Sequence, residues 1–231
     1  MSASLDRSRR ALERARPFAR EYPFAPHFLE LGELALHYVD EGPRAAEPLL
    51  FVHGNPTWSF LWRRLITHFS SERRCVAPDH IGCGWSDKPQ EYDYTLEQHV
   101  ANLVALVERL DLRNITLVMH DWGGAIGMGL ATRFPERIAR LVVMNTAAFT
   151  GGEAPLRIRV CRTPILGELV VRGFNAFAGA ARVMATEQRG GLRGEIAAGM
   201  LAPYSNWRER IATHRFVEDI PLSRSHRSYA T

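Results

Sequence analysis

Lysine is all but missing from this chain: of its 29 basic residues only Lys88 is a lysine, and the rest are arginine. So uniform an excess reads as genome composition rather than as a binding surface. Cysteine is also scarce. Cys75, Cys83 and Cys161 make an odd set with no Cys-x-x-Cys pair, which excludes a disulfide framework and points to reduced thiols in the cytoplasm. No uncharged apolar run reaches the length of about 18 residues that a transmembrane helix needs. The first 20 residues carry no apolar stretch behind their charges, so a secretory signal is not expected. No internal repeat or low-complexity tract occurs. Gly-x-Ser-x-Gly occurs nowhere either, which disfavours a serine hydrolase.

What is present is an ordinary globular composition, 46% hydrophobic and 23% charged over 231 residues. The net charge of +4 is unevenly placed. Arg7, Arg9, Arg10, Arg14, Arg16 and Arg20 face only Asp6 and Glu13 in the first 20 residues, and the other 211 residues balance. Basicity thus belongs to an N-terminal arm, expected to be a solvated helix over 1–21, and no nucleic-acid partner is implied.

From Phe28 to Leu31 and Leu34 to Asp40, around Gly32-Glu33, the pattern predicts a β-hairpin with Leu34, Leu36 and Tyr38 on one face. Four short, wholly apolar runs follow: Leu49–Val52, Cys75–Pro78, Ile115–Met119 and Leu141–Met144. Such runs mark strands covered on both faces. Thr95 with Gln98 forms a capping box ahead of a helix burying Leu96, Val100, Leu103, Val104, Val107 and Leu110. A second helix is expected from about Gly124 to Phe134, ending before Pro135. This alternation specifies an α/β fold, a mostly parallel sheet wrapped by helices, over residues 22–150. The rhythm stops at Thr150–Pro155, and residues 151–231 read as a helical cap insertion.

Ligands of parallel sheets bind at the carboxyl ends of the strands. His53-Gly54-Asn55-Pro56 follows the first apolar run, and Asp79-x-x-Gly82-x-Gly84-x-Ser86 closes and follows the second. The third leads through His120-Asp121-Trp122-Gly123-Gly124 straight into a helix, which has the form of a nucleophile elbow with Asp121 raised above the sheet. A carboxylate nucleophile attacks carbon and forms an ester, which suits displacement at an alkyl halide or epoxide.

With these three motifs the chain resembles the haloalkane dehalogenase family of α/β-hydrolases from about Tyr22 onward. Ala202-Pro203-Tyr204-x-Asn206-Trp207 through Phe216-x-x-Asp219-Ile220-Pro221-Leu222 is similar to a branch that includes bacterial β-lactone decarboxylases of olefin synthesis. The resemblance implies an α/β-hydrolase fold and a small hydrophobic substrate with water, without cofactor or metal. It makes Asp121 the nucleophile, with Trp122 and Asn55 as donors to halide and oxyanion. Asn55 is the residue that separates the chain from epoxide hydrolases, which usually have an aromatic side chain there. The implied activity is halide displacement through an alkyl-enzyme ester. The alternatives are cis-β-lactone decarboxylation and an inactive, truncated scaffold. Asp79, Gly82 and Gly84 read as turn architecture, and His53 and His120 as hydrogen-bonded loop residues. The family's base, a His after the eighth strand, has no match, and Asn145 stands where one branch has an acid. Six strands are expected with the last two missing, so the sequence reads as the front part of a longer enzyme.

Overall fold

The computed structural model describes residues 3–146, 155–184, 186–187 and 189–229. Its centre is a six-stranded sheet in the order β1-β2-β4-β3-β5-β6. Strands β1 (His27–Leu31) and β2 (Leu34–Glu41) form the expected hairpin, and β2 pairs antiparallel with β4 (Arg74–Pro78). Strands β3 (Pro48–Val52), β5 (Ile115–His120) and β6 (Ile138–Met144) continue in parallel. Every residue of β3 is buried, as its unbroken apolar run requires.

Helices cover the two faces. On one, α3 (Leu96–Arg109) and α4 (Trp122–Arg133) pack Val100, Leu103, Leu106, Val107, Ile126 and Leu130 onto Leu36, Leu50, Leu117 and Met119. Thr95 caps α3 by accepting the Gln98 amide, but the box is only half made: the Gln98 side chain donates to Asn102 Oδ1 at 3.1 Å instead. The other face holds α2 (Arg63–Phe69) and an aromatic cluster of Phe18, Tyr22, Phe51, Trp58, Phe60 and Trp62.

Helix α1 (Ala3–Ala15) corrects the expectation of a solvated arm. Ala11, Ala15 and the following Phe18 are buried in the aromatic cluster. Arg7 pairs with Glu30 and Asp87, while Arg14 pairs with Glu209 and lies over the Trp85 ring. The arginines therefore flank an apolar stripe that docks. Opposite this hairpin side of the sheet, β6 presents Leu141, Val142, Val143 and Met144 at 40–60% exposure.

Of the junction predicted at Thr150–Pro155, all but Pro155 lies outside the described residues. Beyond it the described chain is helical: α5 (Leu156–Cys161), α6 (Leu166–Glu168), α7 (Ala176–Met184), α8 (Gly194–Leu201) and α9 (Ile211–Glu218). Among the described residues no helix is long and apolar enough to cross a membrane.

Candidate functional site

Asp121 sits between β5 and α4 with φ 54° and ψ −130°, a backbone state that a side-chain-bearing residue adopts only when its surroundings hold it there. The holding contacts are on both sides. The Asp121 amide donates to Asn145 O at 3.3 Å, and its carbonyl accepts from the Gly124 amide at 2.9 Å and from Thr146 Oγ1. Bare glycine makes the turn possible. A Cβ at Gly123 would strike the Val52 carbonyl, and one at Gly124 would strike Thr146. Met119, a bulky residue two places before the elbow, is accommodated because Gly127 leaves room for its Sδ.

The carboxylate of Asp121 meets the loop after β3. Gly54 approaches so closely that a Cβ there would collide with the carboxylate. The Asn55 backbone N–H donates to Asp121 Oδ1 at 2.7 Å, while Oδ2 accepts no hydrogen bond among the described residues. Asn55 Nδ2 donates to Thr213 O on α9 at 3.0 Å, and Asn55 Oδ1 is buried without a partner among the described residues. Trp122 is half-buried and its ring lies 5.3 Å from that of Phe216, also on α9. The three residues singled out from sequence are thus neighbours, two of them tied to the same helix, α9. Thr213 and Phe216 were not singled out as site residues. Phe216 lay in a segment read only as a branch likeness, and no local signal marked Thr213.

Residues 47–161 match the family described as alpha/beta hydrolase fold. A cis-3-alkyl-4-alkyloxetan-2-one decarboxylase from Shewanella oneidensis is 47% identical over 213 residues, covering 90% of this chain and 66% of the relative. One of the same name from Xanthomonas campestris is 42% identical over 214 residues, covering 87% of this chain and 71% of the relative. The chain belongs to the α/β-hydrolase family. A solved structure of a putative ancestral haloalkane dehalogenase superposes on this chain with a TM-score of 0.81 at 30% identity, over 88% of this chain and 73% of the other. The chain thus spans about two thirds of the length of the Shewanella relative.

Elsewhere in this α/β-hydrolase the remaining motif residues do structural work. Asp79 is fully buried and accepts from Ser59 N at 2.7 Å, Trp85 N at 2.9 Å and His37 Nδ1 at 2.8 Å. Burial alone would raise its carboxyl. The His37 charge and hydrogen bond, with help from His53 and Ser59, outweigh that and hold it at about 2. Gly84 clears space for this carboxylate, as the turn reading required. His53 Nδ1 bonds Gly54 O at 2.8 Å and its Nε2 accepts the His80 amide at 3.0 Å, so the ring carries its proton on Nδ1. Burial lowers its pKa further. His120 departs from expectation: its Nδ1 is buried without a partner among the described residues, and the ring stands edge-on to Trp62 at 6.5 Å. A cleft of about 530 Å³ lies away from Asp121, between α1 and the loop after β4, and is lined by Arg7, Arg14, Trp85 and Arg208.

Proposed function

We propose that this α/β-hydrolase is an enzyme of nucleophilic displacement at saturated carbon, with Asp121 Oδ2 as the attacking atom. The observation that carries the reading is the 2.7 Å bond from Asn55 N–H to Asp121 Oδ1, which commits one oxygen and leaves the other without a hydrogen bond among the described residues. On an alkyl halide, the Oδ2–carbon bond forms as the carbon–halogen bond breaks, and the halide departs with the electron pair. The Trp122 indole N–H and the second N–H of Asn55 Nδ2 are neutral donors suited to that anion. Oδ1 becomes the ester carbonyl, already in contact with the N–H that stabilises its negative charge when water attacks.

A second substrate, a cis-3,4-dialkyl β-lactone, is favoured by the extent of the oxetanone decarboxylase matches, 213 and 214 residues. Here attack at the ring carbon expels a carboxylate that stays tethered. Loss of carbon dioxide then forms the C=C bond and returns the electron pair to Asp121, without consuming water.

The test is to incubate the protein with a 1-bromoalkane and with a cis-3,4-dialkyl β-lactone, following bromide, alkene and carbon dioxide. Asp121→Asn is expected to abolish every product and every alkyl mass adduct. Alkene from the lactone selects the second reading, and bromide alone selects the first. Product formation by Asp121→Asn, or inertness toward both substrates, overturns the proposal.

A further inference from the structure

Helix α9 reaches both candidate leaving-group donors at once. Thr213 O accepts from Asn55 Nδ2 at 3.0 Å, and one turn later the Phe216 ring lies against the Trp122 ring at 5.3 Å and 50°. Behind Phe216, the His99 ring of α3 stacks at 4.5 Å and 13°. Phe216 and His99 are each 1% exposed, so the Trp122–Phe216–His99 series is a packed row of rings with no solvent gap for Phe216 to yield into.

The carbonyl at Thr213 also decides which way Asn55 points. A carbonyl only accepts, so the nitrogen end of the carboxamide must face it. One N–H is then used and the other is left for an anion. The helix supplying both contacts is itself fixed at its C-terminal end. Asp219 Oδ2 accepts the Leu96 amide at the start of α3 at 2.8 Å, and Arg162 donates to Ile220 O at 2.5 Å. At its start, Ala212 fits against Gly82, where a Cβ would collide with it.

We infer that Phe216 is a positioning residue: held between His99 and Trp122, it sets the orientation of the Trp122 indole N–H, while Thr213 O sets that of the Asn55 carboxamide. The inference rests on the reading of Trp122 and Asn55 as donors to the leaving group. Through it the cap segment orients that site as well as covering it. A stack of aromatic faces does this better than an aliphatic side chain, because a flat ring restricts rotation of its neighbour about χ2 while allowing none of the gaps a branched chain leaves.

The experiment labels the full chain with 5-fluorotryptophan and assigns the Trp122 resonance by its loss in Trp122→Phe. Phe216→Leu and, from behind, His99→Leu are expected to shift or broaden that resonance while the other four tryptophan signals hold. Turnover of whichever substrate is active is expected to fall about 10-fold to 100-fold in kcat, with KM within about threefold. A Trp122 resonance unmoved in both leucine variants, or an equal change in all five, overturns the inference. Absence of both turnover and the alkyl adduct in the unaltered protein instead counts against the displacement reading, and the resonance alone then decides the positioning role.

Discussion

The backbone N–H of Asn55 donates to Asp121 Oδ1 at 2.7 Å, joining two loops 66 residues apart in sequence. The bond is in place before any substrate arrives, so the carboxylate is oriented at no cost in reorganisation when charge moves onto that oxygen. It exists because the neighbouring residue is glycine and the two loops can close.

Gly54→Ala tests this closure. The new methyl would occupy the space of the Asp121 carboxylate, so one loop must retreat. The expected outcome is a loss of about 1–3 kcal/mol in stability and a drop of about 100-fold in kcat. Urea melts and steady-state rates measure both, and a wild-type rate in Gly54→Ala would contradict the close approach.

Asp79 predicts an acid transition. Its folded pKa of about 2 lies below the ordinary 3.8, so its stabilisation is complete above about pH 4 and disappears as the pH falls toward 2. The shift corresponds to about 2 kcal/mol. Asp79→Asn is expected to cost about 2–4 kcal/mol at pH 7 and to remove this part of the acid dependence. Stability curves for both proteins between pH 2 and pH 5 provide the comparison.

His99 acts over a different range. Burial holds its ring at about 3, and burial also lowers His80 and His53. Below about pH 6.5 the unfolded chain takes up protons that the folded rings refuse, so stability falls as the pH drops from about 6.5 toward 3. For His99 alone the loss between pH 7.5 and pH 5 is about 2 kcal/mol. His99→Phe keeps a ring against Phe216 and removes two buried nitrogens that have no partner among the described residues. It is expected to flatten the dependence, and an unchanged difference between melts at the two pH values would count against the assignment.

Phe18→Ala tests the docking of the N-terminal helix. Phe18 is 1% exposed and meets Phe60 edge-on at 5.5 Å. Its truncation is expected to cost about 3–5 kcal/mol. A loss below about 1 kcal/mol, read by urea melts, would mean that the helix contributes little.

Much of this arrangement was legible because it is local. The apolar runs at Leu49–Val52 and Ile115–Met119 announce buried strands by composition alone, and Gly123-Gly124 after Asp121 announces a turn that needs room. Helix α1 was misread because its arginines dominate the composition, whereas Ala11, Ala15 and Phe18 bury a stripe only once the aromatic cluster exists. Gln98 was misread for a related reason, since Asn102 offers it a competing partner one turn along. Thr213 contributes a carbonyl, which every residue has, so its contact with Asn55 depends wholly on where α9 comes to rest.

Arg14 donates to Ala202 O at 2.9 Å across 188 positions of sequence. During synthesis, the helix that carries Arg14 leaves the ribosome long before the residues that clasp it have been made. At roughly 5–20 residues per second, that interval lasts on the order of ten seconds or more. Its apolar stripe can already pack on Trp58 and Phe60 in that time, while Arg14 waits for its acceptor. This early-made helix is therefore among the last elements to find its full set of neighbours, and a bulky group attached next to it would act on the closing step of folding.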